Sequence, residues 1–287
     1  MKMISVVIPT YNRYETLKRN LNLLAAQTIS MEDFEVIVID DGSDDETPRF
    51  LAEFSQRSPY QLKVITQKNS GQGVARNQGI EKSEGEIILF LGDDMLTNPD
   101  FLAAHLRFHT ANPEKAKAAL GIVAWHPEIK PTHFMRWLVT SGIQFKFSDL
   151  HKGKPVSFHY FYTSNISLKR EFLGSERFDS SFRGWGFEDT ELGYRLEKKG
   201  LQLIFHPEAV ALHLHIITPD SLITRQFAAG KNAFHFSQLH PEAGILPSGF
   251  KLFLQKIIAL LLPFTYYGKA KKAFLAGIAA GKQETLK

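Results

Sequence analysis

The sequence predicts an α/β fold with a mostly parallel sheet flanked by helices and followed by a helical C-terminal extension. Two periodicities alternate through the first hundred residues: short runs rich in β-branched residues, and longer stretches with apolar residues at helical spacing. Parallel strands need a helical crossover, so this alternation predicts a parallel sheet covered on both faces. A length of 287 residues with 44% hydrophobic and 22% charged residues is typical of a globular chain with a sizeable core.

The elements of the first half follow in order along the chain. Strands are predicted at residues 4–8, 34–39, 62–66 and 86–91. Helices are predicted between them at residues 16–27, 47–57 and 73–81. A further helix begins at Asn98, the expected N-cap, with Pro99 at its first position. Ligands of such sheets bind beyond the carboxyl ends of the strands, so we expect a site where these strands end.

The second half is less regular. Residues 125–162 mix Trp, His and Pro with other aromatic residues without a clear period, and no element is predicted there. Beyond them, strands are predicted at residues 163–168, 201–205 and 209–215, and helices at 188–199 and 219–238. We expect one domain over residues 1–240 and a helical extension over residues 241–287.

Composition limits the function. Cysteine is absent, which excludes disulfides, thiolate metal sites and cysteine nucleophiles. The 34 basic and 30 acidic residues give a net charge of +4, too mild and too mixed to indicate a nucleic-acid partner. The first residues, Met1 to Val6, form no apolar signal segment, so we expect a cytoplasmic protein.

Paired aspartates follow two of the predicted strands. Asp93 and Asp94 repel each other, and burying them requires a cation or a donor-rich ligand nearby. One interpretation is a divalent ion that bridges a substrate diphosphate; the alternative is an aspartate-rich turn. After the second strand, Asp40 and Asp41 precede Gly42-Ser43, which favours the turn there.

A glycine-rich segment precedes the third helix. Gly71-Gln72-Gly73-Val74-Ala75-Arg76 approaches the dinucleotide pattern G-x-G-x-x-G, but Arg76 occupies the last glycine position. A dehydrogenase is therefore disfavoured. An arginine in the first turn suits a phosphate or carboxylate, and the alternative is an ordinary surface arginine.

The segment GWGFED, residues 184–189, combines an indole with two acids. Trp185 in a bendable loop could stack on a sugar, and Glu188 and Asp189 begin the next helix. Adjacent carboxylates raise each other's proton affinity, which suits a general base. The alternative is a half-buried indole followed by acids that stabilise a helix N-terminus. Further on, His213 and His215 are candidate metal ligands, or else ordinary core histidines.

Together these motifs are more specific than they are apart. The chain resembles family 2 glycosyltransferases with the GT-A fold, a Rossmann-like sheet, through SVVIPTYNR (5–13), VIDDGS (38–43), ARNQG (75–79) and LGDD (91–94). GWGFED and His213 extend the resemblance to about residue 235. The resemblance divides the domain into a nucleotide-binding half, residues 1–110, and an acceptor-binding and catalytic half, residues 111–240.

The resemblance implies specific roles. Nucleotide binding falls to Pro9, Tyr11, Asn12, Asp40, Asn69, Arg76 and Asp93. Asp94 and His213 would hold Mn²⁺ or Mg²⁺, with the shares of Asp93 against Asp94 and of His213 against His215 left open. Asp189 would be the general base, Glu188 an acceptor-binding neighbour, and Trp185 with Gly186 the acceptor platform.

The implied reaction is inverting transfer of one sugar from a nucleotide-sugar, expected to be a UDP-sugar, to a hydroxyl of a glycan or a lipid-linked saccharide. The Q-x-x-R-W signature of processive synthases is missing, so we expect single transfers. Two rival functions stay open: a non-catalytic binder of carbohydrate or nucleotide-sugar, and a sugar nucleotidyltransferase. The binder would be expected to lack one member of a set that this chain keeps whole: Asp93, Asp94, Asp189 and His213.

The C-terminal extension has two interpretations. The charge-free run from Ile257 to Gly268 is twelve residues long, too short to span a bilayer, and Lys269, Lys271 and Lys272 follow it. Residues 248–287 would either lie on an anionic membrane surface as a peripheral anchor or form two helices packed on the catalytic domain.

Overall fold

A central mixed sheet organises the structure, a computed structural model that describes residues 2–285. Among these residues its strands run in the order β3-β2-β1-β4-β8-β6-β9-β5, with β7 paired to β9. The strands are β1 (Ile4–Thr10), β2 (Phe34–Asp40), β3 (Gln61–Thr66), β4 (Ile87–Leu91), β5 (Met95–Thr97), β6 (Lys117–Trp125), β7 (Pro155–Val156), β8 (Asn165–Lys169) and β9 (Gln202–His213).

Helices cover both faces of the sheet. They are α1 (Tyr14–Leu24), α2 (Thr47–Ser55), α3 (Gln72–Lys82), α4 (Phe101–Ala111), α5 (His133–Thr140), α6 (Arg170–Leu173), α7 (Glu188–Lys198), α8 (Pro219–Leu239), α9 (Gly249–Leu261) and α10 (Tyr266–Thr285). The pairs β3–β2, β2–β1 and β1–β4 are parallel, whereas β8 runs antiparallel to both β4 and β6. The first half is therefore the predicted parallel sheet, and the second half makes the sheet mixed.

The core lies in two layers, one on each face. Every residue of β1, β2 and β4 is buried, as expected for strands covered on both sides. On one face Leu17 and Leu21 of α1 pack with Phe101 of α4, and on the other Ala75 of α3 packs with Leu192 of α7. The helices α3 and α7, which carry candidate site residues, are thus held on the same face of the sheet.

Helix α3 approaches the sheet closely at Gly79. A Cβ at this position would lie 2.3 Å from Val7 Cγ1 and 2.9 Å from Ile39 Cδ1, so a larger residue would push the helix away. The close-packing glycine of this crossover is therefore Gly79, one turn beyond the position where Arg76 interrupts the dinucleotide pattern.

The predictions for the last strands need correction. Residues 201–205 and 209–215 are predicted as separate strands, but one strand, β9, spans most of both. Pro207 is tolerated because the pairing of β9 with β6 is irregular there: Leu120 lies opposite Phe205, and Ile122 opposite Val210. His215 lies beyond the end of β9, so the prediction that it shares a strand with His213 is wrong.

The C-terminal helices differ in their packing. Helix α10 packs against α8, where Gly230 and Gly277 let the two backbones touch. No residue of α9 is buried. No helix within residues 2–285 is long and apolar enough to cross a membrane.

Candidate active site

A cavity of about 590 Å³ opens beyond the carboxyl ends of β1 and β4. Nine of the sequence-predicted site residues line it: Pro9, Arg76, Asp93, Asp94, Trp185, Gly186, Glu188, Asp189 and His213. They come from five separate parts of the chain, and the fold brings them to one space. The roles predicted for them are compatible with this placement.

Asp94 and His213 lie side by side although 119 residues separate them. Strand β5 runs antiparallel to β9 with Met95 opposite His213, which fixes the preceding Asp94 beside the imidazole. Asp94 Oδ2 is 3.1 Å from His213 Nε2. Burial opposes the ionisation of Asp94, but the hydrogen bond and charge of His213, helped by Arg13, bring the pKa of Asp94 down to about 2.

Asp93 has a different environment. Thr10 Oγ1 donates a hydrogen bond of 2.8 Å to its Oδ2. Burial and the charge of Asp94 nevertheless raise the pKa of Asp93 to about 7, against the opposing effect of Arg13. The two aspartates therefore differ in acidity: Asp94 loses its proton at a much lower pH than Asp93 does.

The Asp94–His213 pair fits a divalent cation. Two adjacent ligands bound at about 2.1 Å lie roughly 3 Å apart, close to the observed separation of 3.1 Å. A carboxylate suits hard ions such as Mg²⁺ and Mn²⁺, and an imidazole is a common ligand of divalent first-row metals. Residues 2–285 contain no group of three or more His, Cys, Asp or Glu side chains arranged to hold a metal, so other ligands would have to come from a bound substrate.

Buried polar and charged side chains at the start of α3 contact an acid at the start of α7. Arg76 is 4% exposed, and its Nη1 is 3.8 Å from Glu188 Oε1. Gln72 Nε2 donates a hydrogen bond of 2.5 Å to the same oxygen. Burial lowers the pKa of Arg76 while Glu188, Asp189 and Asp93 raise it, so the guanidinium is held among carboxylates at the cavity wall.

The two acids of α7 are not equivalent. Glu188 is engaged by Gln72 and Arg76, and burial together with the charge of Asp189 raises its pKa to about 7. Asp189 Oδ1 accepts the Thr190 N–H at 2.7 Å, and the backbone of Thr163 also stabilises its charged form. Burial still raises the pKa of Asp189, against the effect of Arg76. Glu188 is therefore paired with the guanidinium of Arg76, whereas the hydrogen bonds to Asp189 come from Thr190 and from the Thr163 backbone.

Two arginines of the cavity lining, Arg13 and Arg225, have no role in the sequence interpretation, and both contact His215, which is there a candidate metal ligand. Arg13 Nη1 is 2.8 Å from His215 Nδ1, and Arg225 Nη2 is 3.4 Å from His215 Nε2. The Arg225 guanidinium lies over the Trp185 ring at 5.6 Å, so one face of the predicted acceptor platform is covered. Arg13 could have been predicted from its place at the end of the motif SVVIPTYNR. No sequence pattern points to Arg225, because its partners are distant in sequence.

Four predicted nucleotide-binding residues lie outside the cavity lining: Tyr11, Asn12, Asp40 and Asn69. Asn12 has a left-handed backbone, φ 51°, and binds the loop after β2 through Ser43 and Asp44. Asp40 is buried; its Oδ1 accepts the Ser43 N–H, and its Oδ2 has no partner among the described residues. Tyr11 and Asn69 are exposed. Their nucleotide contacts remain predictions.

The chain has the GT-A class of fold: a mixed sheet whose carboxyl edge carries the paired aspartates and the helix with Arg76. The sequence matches the family described as Glycosyl transferase family 2 over residues 5–173. The chain therefore belongs to family 2 of the glycosyltransferases, as its motifs predict.

Curated relatives support the same family. Validoxylamine A glucosyltransferase of Streptomyces hygroscopicus subsp. jinggangensis is 34% identical over 277 residues, which cover 86% of this chain and 63% of the relative. Chondroitin synthase of Escherichia coli is 27% identical and matches 80% of this chain and 37% of its own length. The chain thus spans less than two thirds of the length of these relatives.

Solved structures share the fold. TarS of S. aureus, residues 1–349 in complex with UDP, has a TM-score of 0.59 at 18% identity and matches 100% of this chain and 92% of that one. The mannosyltransferase PcManGT of Pyrobaculum calidifontis, in complex with GDP-Man and Mn²⁺, has a TM-score of 0.60 at 20% identity and matches 99% and 80%. These likenesses extend the GT-A assignment through the second half of the chain.

Proposed function

We propose that this chain transfers a single sugar from a nucleotide-sugar to an acceptor hydroxyl with inversion of configuration. The observation that carries the proposal is the convergence, in one cavity, of the Asp94–His213 pair with Asp189 at the start of α7. A diphosphate-binding edge and a candidate base within one space are the two parts that this reaction requires.

The donor is expected to be a UDP-sugar. Arg76, Arg13 and Arg225 supply positive charge to the cavity for a diphosphate. Asp40 Oδ2, which has no partner among the described residues, would accept a hydrogen bond from the edge of a base if the donor reaches this buried position. TarS binds UDP and UDP-GlcNAc, whereas PcManGT binds GDP-Man, so a panel must include both nucleotides.

Asp94 and His213 would hold Mn²⁺ or Mg²⁺. Such an ion neutralises the charge that develops on the departing nucleoside diphosphate. The low pKa of Asp94, about 2, keeps this ligand ionised at neutral pH. Asp93, hydrogen-bonded to Thr10, would contact ribose or diphosphate.

Asp189 would take the proton from the acceptor hydroxyl as that oxygen attacks the anomeric carbon. Glu188 is held by Gln72 and Arg76 and so would position the guanidinium and the acceptor rather than act as the base. One displacement with one base inverts the configuration, and no covalent sugar–enzyme bond is formed. The open face of Trp185, with Gly186, would receive the acceptor, a glycan or a lipid-linked saccharide.

The two rivals from the sequence predict different outcomes. A non-catalytic relative would bind nucleotide-sugar without consuming it, and a nucleotidyltransferase would form nucleotide-sugar from a sugar phosphate. UDP and GDP release from a panel of nucleotide-sugars, with Mn²⁺, with Mg²⁺ and with chelator, tests the proposal. We expect one donor to be turned over only with the divalent ion; binding without release, across the panel and with acceptor mixtures present, would contradict transfer.

A further inference from the structure

The outer side of α9 and the loop after it carries a continuous set of exposed apolar side chains. Positions 250, 253, 254, 257 and 261 share one face of a helix. Phe250 is 76% exposed and Phe264, just beyond the helix, is 91% exposed. Six exposed apolar side chains of α9 and the following loop are here called the docking face: Phe250, Phe253, Leu254, Leu260, Leu261 and Phe264. Soluble surfaces seldom expose such a patch without a partner.

The charge around the docking face has one sign. Residues 243–283 contain six lysines and no acidic residue, whereas the rest of the chain has 28 basic and 30 acidic residues. Lys251 and Lys256 border the apolar face of α9 on either side, and Lys269 and Lys272 follow on α10, all exposed. The docking face therefore presents an apolar centre with a positive border.

The opposite side of α9 belongs to the cavity. Lys251 and Gln255 line the cavity from α9, and Lys271 lines it from α10. Helix α9 thus separates the candidate active site from the docking face by the thickness of one helix. Whatever binds the docking face lies beside the acceptor side of the cavity.

We propose that the docking face binds the surface of an anionic lipid bilayer and brings the cavity next to acceptors held in that bilayer. Phenylalanine and leucine would enter the headgroup boundary while the lysines contact anionic headgroups. A helix of thirteen residues is too short to span the bilayer, so it lies along it. A second copy of the chain is disfavoured as partner because two lysine-bordered faces would repel each other.

The substrate class follows and rests on the proposed sugar transfer. An acceptor presented at the membrane surface is a lipid-linked saccharide rather than a free glycan. Lys251 and Lys271 line that side of the cavity, and ammonium groups there suit the phosphate that joins such saccharides to their lipid.

Flotation of the full chain with lipid vesicles tests the docking. We expect binding to vesicles of phosphatidylcholine with phosphatidylglycerol and much weaker binding to phosphatidylcholine alone. Phe250→Ser, Phe253→Ser and Phe264→Ser combined should lower the partition coefficient at least about tenfold. Lys256→Ser with Lys272→Ser should lower it roughly 30-fold at low salt and less at high salt. Leu239→Ser, which removes an exposed leucine at the end of α8, is the matched control and should bind as the wild type does.

Each outcome decides one question. Equal flotation of the wild type and of both multiple variants would overturn the docking face. Wild-type chain that stays with the lipid-free fraction while forming a dimer that the phenylalanine variant abolishes would also overturn it, in favour of self-association. Donor turnover measured without vesicles is independent: vesicle binding without turnover refutes the proposed transfer, and turnover without vesicle binding refutes the docking alone.

Discussion

The substitution Asp189→Asn tests whether Asp189, rather than the adjacent Glu188, is the general base. The amide has nearly the same shape as the carboxylate and lacks the basic oxygen. If its oxygen takes the place of Oδ1, the 2.7 Å hydrogen bond from Thr190 N–H is kept. The stabilisation by the Thr163 backbone, worth about 1 kcal/mol, is then lost, but the burial cost of the carboxylate charge is removed as well. With an unfolding entropy of about 2.1 cal/mol/K per residue, Tm should fall by at most about 2 °C for a chain of this length.

The effect on turnover is expected to be much larger. A positioned general base contributes about 100- to 10,000-fold, which corresponds to roughly 3–5 kcal/mol of the barrier. Donor affinity should change less than about threefold, because the nucleotide is expected to be held by Arg76 and the Asp94 region. Turnover is measured as nucleotide release from the donor that the wild type consumes, and donor affinity by calorimetry.

Glu188→Gln is the matched control on the same helix. Its side chain can still accept from Gln72 through the amide oxygen, while the charge near Arg76 is lost. Turnover should therefore fall less than in Asp189→Asn. The assignment is refuted if Asp189→Asn keeps turnover within threefold of the wild type, or if Glu188→Gln loses the larger share while both variants bind donor normally.

Three further results are expected. His213→Ala and Asp94→Ala should each abolish the Mn²⁺-dependent part of UDP affinity in calorimetry; unchanged affinities with and without Mn²⁺ would reject the ligand roles. Burial raises the pKa of Glu188 to about 7, so the folded chain binds this proton more tightly than the unfolded chain; the resulting stabilisation is complete below pH 4.5 and is lost as pH rises through 7. Between pH 5 and pH 8, the free energy of unfolding in urea should therefore fall less for Glu188→Gln than for the wild type. Parallel pH profiles of the two proteins would contradict this expectation. Gly79→Ala should destabilise by about 1–3 kcal/mol, since its Cβ meets Val7 at 2.3 Å, and should weaken donor binding through Arg76, with Gln78→Ala as the unaffected control.

Some parts of the fold needed information that no local pattern holds. Strand β5 has three residues, too few to show a period, yet its pairing with β9 sets Asp94 against His213. Residues 117–125 form β6 at the start of the second half, and α5 lies inside the stretch without a readable period. Such elements are stabilised by neighbours distant in sequence, so their own residues need not carry a strong preference.

The sequence alone determined the alternating strands and helices of the first half, because buried parallel strands and amphipathic helices leave local periodicities in the chain. It also determined which chemistry gathers at the carboxyl edge, since the motif residues directly follow those strands. Only the tertiary structure decided how the distant groups meet: that Glu188 faces Gln72 and Arg76, and that Arg225 covers Trp185. It also decided that α9 keeps an apolar face outside. These outcomes depend on strand register and helix packing, which arise from contacts between residues far apart along the chain.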